Sequence, residues 1–200
     1  LRFLVQILLL AYLGLITGCE LFSTRNPEEP DTGNSGYIPP TEPDILLLNF
    51  ENSLRSLNAD NYYKCFFDEI GEQTFKYKFF PASSALASYP SLFDDWNIES
   101  ERRLINRLSS QFGSERIQIS FPNRKPILET PDSSIFSADY IITLPEKDVS
   151  QITEFRGRIQ LTMIAKTNGL WYISRWFDYQ NNEVENEANT WSILKAIYSN

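Results

Sequence analysis

At 200 residues, with 42% hydrophobic and 22% charged side chains, the chain suits one globular domain with appendages. Its net charge of −8 disfavours nucleic acid as a partner and offers no polybasic patch for anionic lipid. It contains no histidine, which excludes a Ser-His-Asp triad, a Cys-His pair and any His-ligated zinc or iron site, and no glycine-rich phosphate loop or calcium-binding loop is present. The sequence therefore implies no cofactor and no metal.

The first element is an address. Arg2 gives a basic start, and Phe3 to Ile16 is an apolar run broken mainly by Gln6. That run is shorter than the about 20 residues a membrane-spanning helix requires, so residues 1–18 read as a signal peptide. Ile16-Thr17-Gly18-Cys19 resembles the bacterial lipobox, an aliphatic residue, a small one, Gly or Ala, then Cys. The resemblance implies cleavage before Cys19 and acylation of its sulfur. Several acyl chains, at about 0.8 kcal/mol per buried CH₂, anchor a protein to a membrane. Glu20 stands where an Asp would imply inner-membrane retention, so the implied location is the periplasmic side of the outer membrane.

Residues 19–43 form a lipidated Cys and Pro-rich tether. Pro27, Pro30, Pro39, Pro40 and Pro43, with Gly33 and Gly36, leave no face to bury, and an extended spacer is expected. Cys65 stands among Tyr62, Tyr63, Phe66 and Phe67 and reads as a small buried hydrophobe.

The domain is expected over residues 44–200. A helix begins near Thr41–Asp44 in a capping-box-like start, with Leu46 or Leu47, Phe50, Leu54 and Leu57 as its apolar stripe. Asn58-Ala59-Asp60 breaks it, and a short second helix carries Tyr62, Tyr63, Phe66 and Phe67. Phe75, Tyr77 and Phe79 alternate as a strand, and Pro81 to Pro90 reads as loop. Asp94 or Asp95 caps a third helix running to Phe112, its stripe Leu104, Ile105, Leu108 and Phe112. Glu99 and Glu101 lie in its early turns and Arg102, Arg103 and Arg107 later, an order that suits the helix dipole.

Strands follow. Ile117, Ile119 and Phe121 alternate, then Phe136 to Leu144, then Ile159 to Ala165. Asn168-Gly169 turns the chain into a last strand, Leu170 to Tyr179. A terminal helix spans Trp191 to Tyr198. Helices first and a hairpin-linked sheet afterwards make an α+β domain, with N-terminal helices packed on a curved antiparallel sheet.

That element order, with Gly169-Leu170-Trp171-Tyr172-Ile173-Ser174-Arg175-Trp176-Phe177-Asp178 closing the sheet, resembles the NTF2-like (cystatin-like, SnoaL-like) superfamily. It is also similar to lipoproteins that carry such a domain behind a Pro-rich tether. The resemblance implies a cone with a pocket. Some members of the superfamily are isomerases, dehydratases or hydrolases using Asp or His there, while others bind, assemble or dimerise.

The candidate ligand-binding residues are Trp171, Arg175, Asp178 and Tyr140. Strict alternation puts Trp171, Ile173 and Arg175 on one face and Tyr172, Ser174, Trp176 and Asp178 on the other. If the first face lines the cone, Arg175 stands near its mouth, to hold an anion or pair with an acid. The competing reading is a surface Arg. Asp178 is either a pocket carboxylate suited to proton transfer or a strand-end cap or ion-pair partner. Tyr140 reads as core, and Arg156 and Arg158 as a polar face that is solvated or pairs across strands. The expected function is a membrane-anchored, non-catalytic binding or assembly module. Its expected partners are a small apolar ligand, an envelope protein, or a second copy against the sheet face. The alternative is a pocket enzyme of isomerase or dehydratase type centred on a lone acid such as Asp178.

Overall fold

The computed structural model describes residues 36–68, 76–113, 115, 117–147, 151–181 and 189–199. Cys19, the signal segment, most of the tether and Phe75 lie outside these residues. No helix among the described residues is long and apolar enough to cross a membrane.

Helix α1 (Pro43–Arg55) opens on a proline, whose missing N–H has no intrahelical partner to lose at that position. The capping box expected from Thr41 and Asp44 is not formed; Glu42 is the N-cap and its side chain makes no capping bond. Leu46, Leu47, Phe50 and Leu54 are buried as the stripe requires. Just before it, Ile38 exchanges two hydrogen bonds with the Asn49 amide, and Pro40 accepts the Trp171 N–H. The end of the proline-rich segment is therefore docked on the domain. Helix α2 (Ala59–Tyr63) is capped by Asn58.

Strand β1 (Lys78–Phe80) leads to α3 (Ser83–Ser88), a short helix where the two prolines predict loop. Helix α4 (Ile98–Phe112) starts at Asn97, not at Asp94 or Asp95. Asn97 accepts from the Ser100 N–H while the Ser100 hydroxyl accepts from the Asn97 N–H. Replacing Asn97 by alanine is expected to destabilise the protein by about 1 kcal/mol, read as a thermal midpoint lower by roughly 2–4 °C. Gly113 ends the helix at φ 62°, a conformation that favours glycine.

The sheet is built from β2 (Gln118–Ser120), β3 (Lys125–Glu129), β4 (Ser133–Thr143), β5 (Glu154–Ala165) and β6 (Trp171–Tyr179), with β1 at one edge. Its order is β1-β6-β5-β4-β2, with β3 also paired to β4. The Asn168-Gly169 turn joins β5 to β6 as expected, Gly169 taking φ 76°. The sheet is not wholly antiparallel, because β1 runs parallel to β6. Alternation reveals a strand's faces but not the direction of a neighbour almost a hundred residues away. Strand β3 went unread because all five of its residues are exposed and show no alternation. Helix α5 (Trp191–Ser199) closes the described chain and buries Trp191, Leu194, Lys195 and Tyr198. The architecture is α+β, with helices on the inner face of a curved mixed sheet.

Candidate functional site

Strand β6 does not alternate as its sequence predicts. Thr162 pairs with Arg175, but Met163 pairs with Ile173, so Ser174 is an extra residue in the ladder. Such a bulge reverses the phase of the strand beyond it. Trp171 and Ile173 point inward as expected, and so do Trp176 and Asp178, all buried. Arg175 is exposed, on the opposite side from Trp171 and Ile173. Arg175 therefore does not stand at the mouth of the cone; it is a surface residue, the competing one of its two readings. Ser174 itself is buried, its hydroxyl donating to the Thr162 carbonyl at 3.1 Å.

The bulge brings Asp178 to Tyr140. The Tyr140 hydroxyl donates to Asp178 Oδ1 at 2.7 Å and accepts the Trp191 N–H at 2.6 Å. Asp178 Oδ2 accepts from the Ser192 N–H at 2.7 Å and the Ser192 hydroxyl at 2.5 Å. The Ser192 hydroxyl in turn accepts the Ala82 N–H. Asp178 and the Tyr140 hydroxyl thus supply one acceptor each to the Ser192 and Trp191 N–H groups at the start of α5, across the chain rather than from the preceding residue. Burial raises its carboxyl above the usual aspartate range, although Ser192 and Tyr140 act the other way. On the outer face, Arg158 pairs with Asp139 across the strands at 2.8 Å, as one of its two readings anticipates.

A second buried constellation went unread. Glu101, which the sequence places in the early turns of α4, is 0% exposed and forms a salt bridge with Lys195, also 0% exposed. Tyr77 donates to Glu101 at 2.5 Å, Trp96 Nε1 at 2.8 Å and Tyr62 at 3.1 Å. The Lys195 ammonium lies 3.6 Å from the Phe79 ring centroid and 3.9 Å from that of Trp176. Burial lowers its pKa to about 8, against the attraction of Glu101. The legible signal was position: Glu101 falls three residues after Ile98 and three before Leu104, on the apolar stripe. The spacing Ser192-x-x-Lys195 also matches a nucleophile motif, but both side chains are fully buried and the hydroxyl is engaged by Asp178. Cys65 is buried, its thiol raised by burial, as its aromatic neighbours predict.

These groups fill one end of the cone. The other end is open. A cleft of about 420 Å³ lies between α1 and the inner face of β4 and β5, walled by β3. Leu47, Phe136 and Met163 give it an apolar floor, with Ser134 beside them. Glu51 of α1 reaches across to Arg124 at 2.5 Å and also holds Arg55 at 3.2 Å. Asp44, Lys125 and Glu129 complete the polar lining. None of Trp171, Arg175, Asp178 and Tyr140 lines this cleft. Two further hollows, of about 560 and 400 Å³, lie beside Arg55 and Ile119 and beside Tyr37 and Tyr172. Among the described residues no group of three acids or cysteines is placed to hold a metal ion.

No protein-family model and no curated protein matches this chain. Solved structures do. A Novosphingobium aromaticivorans protein assigned as a scytalone dehydratase is 9% identical over 74% of this chain and 88% of its own, with a TM-score of 0.53. A second from the same organism, assigned as an aromatic ring hydroxylase, is 13% identical over 68% of this chain and 85% of its own, with a TM-score of 0.50. At these identities the likeness concerns shape, and the shape is the NTF2-like (SnoaL-like) fold.

Proposed function

We propose that this protein is an exported lipoprotein, acylated at Cys19 and facing the periplasm from the outer membrane, whose domain binds a small amphipathic ligand without transforming it. The division of the cone carries the binding reading. One end is occupied by the chain's own Trp176, Trp191 and Lys195, and its buried acids, Glu101 and Asp178, are engaged by internal donors. The other end keeps a ligand-sized cleft with an apolar floor and a charged rim. A reaction centre of isomerase or dehydratase type would need an acid free to move a proton inside the cone, and Asp178 accepts three hydrogen bonds. An assembly role would use the outer sheet face, where Phe80 and Phe177 stack at 4.2 Å beside exposed Tyr179 and Arg175.

The address and the binding are tested together. Cells given an alkyne-bearing palmitate should label the parent protein, and Cys19→Ser should abolish the label. The purified domain should brighten an apolar naphthylamine dye, and Leu48→Asp, at a lining position 45% exposed, should lower that signal at least several-fold without unfolding the protein. Undiminished labelling of Cys19→Ser would refute the anchor. A dye response indifferent to Leu48 would refute the cleft.

A further inference from the structure

The charges of the cleft are not scattered. The contact between Glu51 and Arg124 fixes one end, where Lys125 also lies. Going back along α1 from Glu51, the next lining acid is Asp44, seven residues or about 10 Å away. Going forward along β3 from Lys125, the lining acid is Glu129, four residues or about 13 Å away. The β3 wall thus runs from the cationic pair Arg124 and Lys125 to Glu129, while α1 carries an acid at each level, Glu51 held by Arg124 at one and Asp44 at the other, with Leu47, Phe136 and Met163 between.

Two details make the cationic end ready for a ligand. Glu51 has a second guanidinium partner in Arg55, which is itself fixed by the Ile119 carbonyl, so Glu51 stays paired if Arg124 is taken from it. Arg124 is anchored independently, its Nε donating to the Phe121 carbonyl at 3.0 Å and its guanidinium lying over the Phe121 ring. Its Nη2 meets the Glu51 carboxylate at the cleft wall, so the guanidinium already holds a carboxylate in this place. Ser134, only 3% exposed, brings a hydroxyl to the cleft lining beside Phe136 and Met163. Such a group in an apolar setting favours a ligand with a matching polar atom.

We propose that the cleft takes a short apolar peptide with both ends free, its carboxylate displacing Glu51 from Arg124 and its ammonium meeting Asp44 and Glu129. This rests on the reading of the cleft as a ligand site. An extended tripeptide spans about 10 Å, comparable to the about 10–13 Å that separates the two levels along α1 and β3. Its side chains lie on the apolar floor, and a backbone amide meets Ser134. A fatty acid would answer the cationic end alone and leave two carboxylates facing its tail, and an alkylammonium would do the reverse.

Isothermal titration of the full chain with Leu-Ala-Leu, its N-acetyl form and its C-terminal amide tests this. The free tripeptide should bind, and blocking either end should weaken it roughly tenfold or more. Arg124→Gln should erase the preference for the free carboxylate while keeping the preference for the free amine. Asp44→Asn with Glu129→Gln should do the opposite. Blocked peptides binding as tightly as the free one would overturn the proposal. So would a cleft that responds to the naphthylamine dye and ignores the tripeptide, and that result would leave the ligand site itself standing. Loss of both signals would remove the ligand site as well.

Discussion

Lys195→Met is expected to destabilise the protein by about 3–5 kcal/mol, measured by chemical unfolding of the folded domain. The substitution leaves the Glu101 carboxylate fully buried, with Tyr62, Tyr77 and Trp96 as neutral donors and no positive charge. Combining Lys195→Met with Glu101→Gln should recover much of that loss. The amide oxygen can still accept from Tyr77 and Trp96 while its NH2 donates to the Tyr62 hydroxyl, and methionine suits the aromatic site formed by Phe79 and Trp176. If the double variant is no more stable than Lys195→Met alone, the pair is not coupled as the structure places it. The pH dependence has a definite sign. Folding lowers the lysine pKa from 10.5 to about 8, so between pH 8 and 10 the unfolded chain binds more protons than the folded one. The contribution of Lys195 to stability therefore rises with pH across that window, and Lys195→Met should lack this slope. Above pH 10 the buried Tyr62, Tyr77 and Tyr140, all raised by burial, act in the opposite sense.

Gly157→Ala should destabilise the protein by about 3 kcal/mol, with no charge altered. Gly157 sits opposite Tyr140 in the ladder between β4 and β5, and the phenol lies directly over it. A Cβ there would overlap the Tyr140 hydroxyl and come within 2.6 Å of the Tyr179 carbonyl. Neither can yield easily. The hydroxyl is fixed between Asp178 and the Trp191 N–H, and the carbonyl belongs to the neighbouring strand. Tyr140→Phe should cost about 1–3 kcal/mol by itself, because Asp178 and the Trp191 N–H each lose a partner inside the protein. In the Gly157→Ala background the added cost of Tyr140→Phe should be smaller, since the clash has already disturbed those bonds. Full additivity of the two, read from unfolding midpoints, would show that Tyr140 and Gly157 do not share this contact.

The two constellations explain why the domain was more legible than its sites. The apolar stripes of α1 and α4, the alternation of β4 and β5 and the Asn168-Gly169 turn each depend on neighbours within a few positions, and all appear as read. The α+β class follows from their order. Tyr140 was assigned to the core and is there. The sequence allows Asp178 to be a proton-transfer group or a structural acceptor, and in the structure it accepts from Ser192 at the start of α5. Arg175 was placed on the wrong face because one inserted residue at Ser174 shifts every side chain after it, and a bulge is a property of two strands in register.

What the sequence determines alone is local or compositional: the lipobox resemblance at Cys19, the absence of histidine chemistry, and the periodic elements. What only tertiary structure decides is which distant groups meet. Glu101 and Lys195 lie ninety-four residues apart; the helix stripe can place Glu101 on the inner face, but only the fold supplies its partner, and each charge is tolerated inside because the other is there. The parallel pairing of β1 with β6 and the end-to-end polarity of the cleft arise in the same way. They are set by the closing of the sheet around the helices, which brings charges and strands together irrespective of their spacing along the chain.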